Sequence, residues 1–157
     1  MPEPALCLAH LQGIETLSLR MERHMSNTKK VVEFLSQQAF VSRVGHPLLE
    51  THPSHALAQK LLPRGAGSVF SFDIKGSREQ GKKFVESLKV FSHLANVGDC
   101  RSLVIHPAST THFRMSDEAL AAGGITQGTI RLSIGLEDPD DLLDDLKRAL
   151  KVAEKAA

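Results

Sequence analysis

A chain of 157 residues with 41% hydrophobic and 24% charged residues has the size and composition of one globular domain with a real core, which argues against disorder. Its formal net charge of +1 gives no electrostatic case for nucleic acid or an anionic membrane. The apolar runs are far too short to span a bilayer, the N-terminus lacks the basic flank and apolar core of a signal peptide, and without Trp or Tyr an aromatic cation cage or base-stacking surface is poorly supported.

Leu11, Ile14, Leu17, Met21, Met25, Val31, Val32 and Leu35 recur mostly at three- and four-residue steps, which predicts one long amphipathic helix from about Ala5 to Gln37. Pro2 and Pro4 sit where a helix can begin, and Gly13 costs its interior ~1 kcal/mol against Ala. A helix this long in a small domain points beyond it, toward another domain or subunit. Val41 to Val44 is a short β-branched segment halted by Gly45 and Pro47, and Ser54 is placed to cap a short helix through Leu62. Phe70, Phe72 and Ile74 alternate with Ser71 and Asp73 as a half-buried strand.

Ser77, with Gln80 three residues later, is a capping-box signal for a helix carrying Phe84, Val85 and Leu88. Two short strands are expected near Phe91–Asn96 and Ser102–His106, and a third at Thr129–Gly135, where Ile130, Leu132 and Ile134 share one face and Arg131 and Ser133 the other. The last helix starts near Pro139, acidic in its first half and basic in its second, with a buried stripe of Leu142, Leu143, Leu146, Ala149, Leu150 and Ala153. This order predicts an α+β fold: a long N-terminal helix, then a mostly antiparallel sheet of four to five strands with helices packed on one face.

Arg131 is the strongest chemical candidate. A guanidinium on the face opposite a strand's apolar residues is a natural bidentate carboxylate receptor; the bland alternative is an edge-strand arginine in water, or one paired with Glu137 or Asp138. Ser133 could add a hydroxyl on the same face. His106-Pro-Ala-Ser-Thr-Thr-His112 has no metal-ligand spacing and reads as a loop-shaping segment. His10, His24, His46, His52, His55 and His93 read as surface or capping groups. Cys7 and Cys100 favour free thiols, with a single disulfide left open. No nucleophile elbow and no Gly-rich phosphate loop appears, so the residues display an anion receptor without a catalytic engine.

Asn96-Val-Gly-Asp-Cys-Arg-Ser-Leu-Val-Ile-His-Pro-Ala-Ser-Thr-Thr-His112 and Gly128-Thr-Ile-Arg-Leu-Ser-Ile-Gly-Leu-Glu137 resemble the C-terminal domain of the Cys/Met-metabolism (transsulfuration) family of pyridoxal-phosphate enzymes, closest to its O-acetylhomoserine sulfhydrylase branch. Gly13-Ile-Glu-Thr-Leu-Ser-Leu-Arg-Met-Glu-Arg-His24 is similar to the helix that links that family's two domains. The resemblance implies a fold-type I enzyme in which residues 1–40 form an inter-domain helix and residues 41–157 a substrate-binding domain. It also implies γ-replacement of O-acetylhomoserine by sulfide or a thiol in methionine and cysteine biosynthesis, in a cytoplasmic homotetramer. Arg131, and Asn96 where several relatives have Ser, fall at the positions that receive the substrate α-carboxylate. Acetyl or succinyl as the substrate acyl group stays open.

In that family the cofactor-bearing lysine, the ring-stacking aromatic residue and the phosphate-binding glycines belong to an N-terminal domain, which this chain is expected to lack. None of its ten lysines stands in the cofactor-lysine context, so pyridoxal 5'-phosphate is expected in the full-length enzyme and not on this chain alone. The rival expectation is a stand-alone, non-catalytic α+β binding or assembly module derived from the same family.

Overall fold

The structure, a computed structural model, describes residues 3–156, so Pro2 lies outside the described residues. Where one helix is expected there are two, α1 (Pro4–Glu15) and α2 (Leu17–Ser36). Thr16, at φ −100° and ψ 5°, interrupts them, and the guanidinium of Arg20 donates to the Gly13 carbonyl, which an unbroken helix would give to the amide of Leu17. No residue of α1 is buried; Leu6, Leu8, Leu11 and Ile14 all stand in solvent. The second half of α2, through Val31, Val32 and Leu35, belongs to the core.

The sheet is formed by β1 (Val41–Gly45), β2 (Val69–Ile74), β3 (Ser92–His93), β4 (Leu103–Ile105) and β5 (Thr129–Ser133), in the order β1-β2-β5-β4-β3. Its pairs are antiparallel except β3 with β4. The expected α+β architecture with a mostly antiparallel five-stranded sheet is therefore what the chain adopts. The other helices are α3 (His55–Leu61), α4 (Arg78–Ser87), α5 (Asp117–Ala122) and α6 (Pro139–Lys155), with a 3-10 turn at Pro107–Ser109.

Alternation along β2 and β5 puts Phe70, Phe72, Ile74, Ile130, Leu132 and Ile134 on one face, where α2, α4 and α6 cover them. Phe72 and Phe84 are fully buried and meet edge to face at 5.7 Å; burial of each such side chain stabilises the fold by roughly 1.5–3 kcal/mol. The Ser77–Gln80 capping box forms as the sequence indicates, and Asp138 caps α6 through the amide of Asp140. Ser54 precedes α3 without a side-chain cap, its amide donating to Nδ1 of His52 instead. Among the described residues, no helix is long and apolar enough to cross a membrane.

Candidate functional site

The opposite face of the sheet is polar, and the register fixes which residues share it. Arg43, Asp73 and Thr129 lie side by side across β1, β2 and β5. One pleat further along, Ser71, Arg131 and Ile105 do the same across β2, β5 and β4. Arg43 and Arg131 have opposite surroundings. Arg43 Nε donates to Asp73 at 2.8 Å, and the buried Asp73 carboxylate also accepts the Thr129 hydroxyl at 2.6 Å. Arg131 has no carboxylate within ion-pair distance among the described residues.

Arg131 thus sits on the central strand and not at an edge, and the acidic residues that follow it in sequence are committed elsewhere. Glu137 accepts the amide and hydroxyl of Ser102, at 2.7 and 2.8 Å, and Asp138 serves α6. A half-buried guanidinium that is fixed by its strand and lacks an internal counter-charge is suited to an external carboxylate. Ser133, buried, lines the same small cavity, together with Leu94, Asn96, Leu103 and Ile105.

Asn96 is brought to Arg131 by its main chain. The guanidinium Nη2 donates to the Asn96 carbonyl at 3.4 Å. The Asn96 side chain turns into its own loop: its Oδ1 accepts the amide of Val97 at 2.8 Å, and its Nδ2 lies 3.5 Å from the Asp99 carboxylate. The two sequence candidates therefore meet, with the Asn96 amide pointed into the turn.

His106 to His112 shapes a loop. His106 is fully buried; its Nε2–H donates to the Gln127 carbonyl at 2.8 Å, which leaves Nδ1 to accept from the Ser109 hydroxyl at 2.8 Å. Burial holds its pKa below the ordinary value, partly offset by the bond to Gln127. Two histidines expected at the surface are buried instead. His24 donates from Nδ1 to the Ile134 carbonyl at 2.6 Å, and His46 bonds through Nε2 to the Gly67 carbonyl at 3.1 Å, with its pKa lowered by burial. His24 occupies the same helix stripe as Val31 and Leu35, a positional signal that outweighs its polarity.

Cys7 and Cys100 are exposed free thiols, and no set of three metal-ligating side chains converges among the described residues. The cavity at Arg131 is lined by neither a lysine nor an aromatic ring. The residues lining that cavity therefore do not fit a pyridoxal phosphate, which needs an amine partner, a ring contact and a phosphate cradle; the charged group they present is the Arg131 guanidinium.

The family model described as Cys/Met metabolism PLP-dependent enzyme matches residues 1–151. The chain is 50% identical to an O-acetyl-L-homoserine sulfhydrylase of Leptospira meyeri over 142 residues, covering 90% of this chain and 32% of that protein. It is 48% identical to a homocysteine synthase of Schizosaccharomyces pombe, covering 91% and 33%. Among solved structures, cystathionine gamma synthase from Xanthomonas oryzae pv. oryzae in complex with cystathionine aligns with a TM-score of 0.85 and 41% identity, covering 94% of this chain and 38% of that one. The chain thus spans about a third of the length of these relatives.

Proposed function

This chain belongs to the Cys/Met metabolism PLP-dependent enzyme family, and from that membership we propose that it supplies the substrate-carboxylate site of an O-acetylhomoserine sulfhydrylase-type enzyme. The observation that carries this reading is Arg131: a guanidinium on the central strand, on the polar face, without an acidic partner among the described residues. In the holoenzyme the amino-acid substrate, O-acetylhomoserine, lays its α-carboxylate on that guanidinium, and Asn96 adds an amide hydrogen bond. The role of this chain is to bind and orient: fixing the carboxylate removes most of the substrate's rotational freedom before any bond changes. Cofactor chemistry, with sulfide or a small thiol as the nucleophile, belongs to the remaining two thirds of the family fold. Residues 1–40 form the link to that part, and residues 41–157 the binding domain of a cytoplasmic homo-oligomer.

The test is steady-state kinetics of a holoenzyme in which this chain is joined to the rest of a relative's fold. Arg131→Ala is expected to weaken O-acetylhomoserine binding by ~2–4 kcal/mol, read as a raised KM, because the substrate carboxylate loses its counter-charge. An unchanged KM sinks the assignment. A second reading, a non-catalytic carboxylate-binding module, is favoured by the lack of lysine and aromatic rings around Arg131. It requires that the unassisted chain bind an amino acid without turning it over.

A further inference from the structure

Residues 95–98 leave the sheet after β3 and are tied to the residues that follow them through Asp99. Asn96 Oδ1 accepts the amide of Val97, Asn96 Nδ2 faces Asp99 Oδ2, and Asp99 Oδ1 accepts the amide of Arg101 at 3.0 Å. Gly98 takes φ +81°, a left-handed conformation that closes the turn, and Val97 is 70% exposed. Among the described residues, the only hydrogen bond from the sheet to this segment is the one from Arg131 to the Asn96 carbonyl. The cavity beneath has a volume of about 10 Å³, room for a single water at most and too small for a carboxylate.

We propose that the segment from Ala95 to Gly98 is a strap that occupies Arg131 in place of a substrate carboxylate, so that binding proceeds by exchange of one for the other. The proposal rests on the carboxylate reading of Arg131 given above. The Asn96 carbonyl is a neutral acceptor at the long end of hydrogen-bond range; a carboxylate makes shorter, charge-assisted bonds to the same nitrogen and displaces it. The closed strap lowers apparent affinity in proportion to the open fraction. Opening also frees the Asn96 amide from Asp99, so the group proposed as the second carboxylate contact becomes available only when the site is formed. The strap thereby couples release of Arg131 to delivery of Asn96.

Asp99 pins the strap from outside the site and gives the test. The 15N-labelled chain is titrated with sodium propionate at constant ionic strength, following the amides of Ser71, Ile105 and Ser133. Asp99→Ala removes both pins. Asp99→Asn removes the same negative charge but keeps an acceptor for the Arg101 amide. Asp99→Ala is expected to bind propionate about three- to tenfold more tightly than Asp99→Asn. Equal affinities in the two variants, or no response in Asp99→Ala, overturn the strap. Arg131→Gln is expected to abolish the response in every background. If it does while the Asp99 variants agree, the carboxylate site stands and the strap falls. A response that survives Arg131→Gln overturns the site and the strap together.

Discussion

Ser102 gives both its main-chain N–H and its hydroxyl to the carboxylate of Glu137, at 2.7 and 2.8 Å. The same hydroxyl oxygen accepts the amide of Gly135 at 2.8 Å, so one fully buried serine ties the start of β4 to the exit of β5. Gly135 has no room for a side chain: a Cβ there would meet the Cys100 carbonyl oxygen at 2.5 Å. Glu137→Ala leaves the Ser102 amide and hydroxyl without their acceptor and is expected to destabilise the chain by about 2–3 kcal/mol. Glu137→Gln, which keeps one acceptor oxygen, is expected to cost less. Urea unfolding midpoints measure both, and an unchanged midpoint for the alanine variant rules the clamp out as a source of stability.

Gly81→Ala reverses a common expectation. An alanine in a helix interior ordinarily stabilises by about 1 kcal/mol over glycine. At Gly81 the added methyl would lie 2.5 Å from Nε2 of the buried His106, the atom that holds the Gln127 carbonyl. The substitution is expected to destabilise by about 1–3 kcal/mol as that ring is displaced. Thermal unfolding settles the sign.

Acid should weaken the fold before its carboxylates titrate. His46 and His106 are both shifted down from the ordinary value of 6.5, chiefly by burial, so the folded state favours their neutral forms. Above pH 6.5 both rings are neutral in the folded and unfolded chains alike, and their contribution to stability is complete. As pH falls below 6.5 the unfolded chain binds protons first, and stability is lost until the folded-state pKa values are passed. Urea midpoints at pH 7.5, 6.5 and 5.5 are expected to decline over the lower interval, and less so in His46→Gln. A flat profile contradicts the assignment.

Much of the fold was legible because its signals are local. The Phe70–Ile74 alternation, the Ser77–Gln80 capping box and the Pro139 start of α6 each depend on residues a few positions apart, and each formed as read. Arg131 was legible as the odd residue of an apolar alternation. What surrounds it was not, because register between distant strands decides that Ser71 and Ile105 flank it. The break at Thr16 escaped a periodicity that runs through it, since the Arg20 contact with Gly13 is a three-dimensional event. The short helix α5 did carry a signal, Ser116 ahead of Asp117 and Glu118, and Ser116 indeed accepts the Ala119 amide. Buried His24 and Ser102 were missed because their partners are carbonyl and carboxylate groups distant in sequence.

The lack of burial along α1, which it shares with the shorter α3, leaves it poorly protected. Its amides are expected to exchange with solvent by local fraying, while those of α2 from His24 to Leu35 exchange only with global unfolding. Hydrogen exchange read by mass spectrometry distinguishes the two segments. Equal protection in both would mean that α1 is covered in solution.

His24 and Asn27 grip the strand that carries Arg131 just past its end, through the carbonyls of Ile134, Gly135 and Glu137. These bonds run from 2.6 to 3.0 Å, and those to Ile134 and Gly135 are buried. The helix and the guanidinium are therefore joined like the two arms of a bracket: any shift of α2 pulls on the chain three residues beyond Arg131.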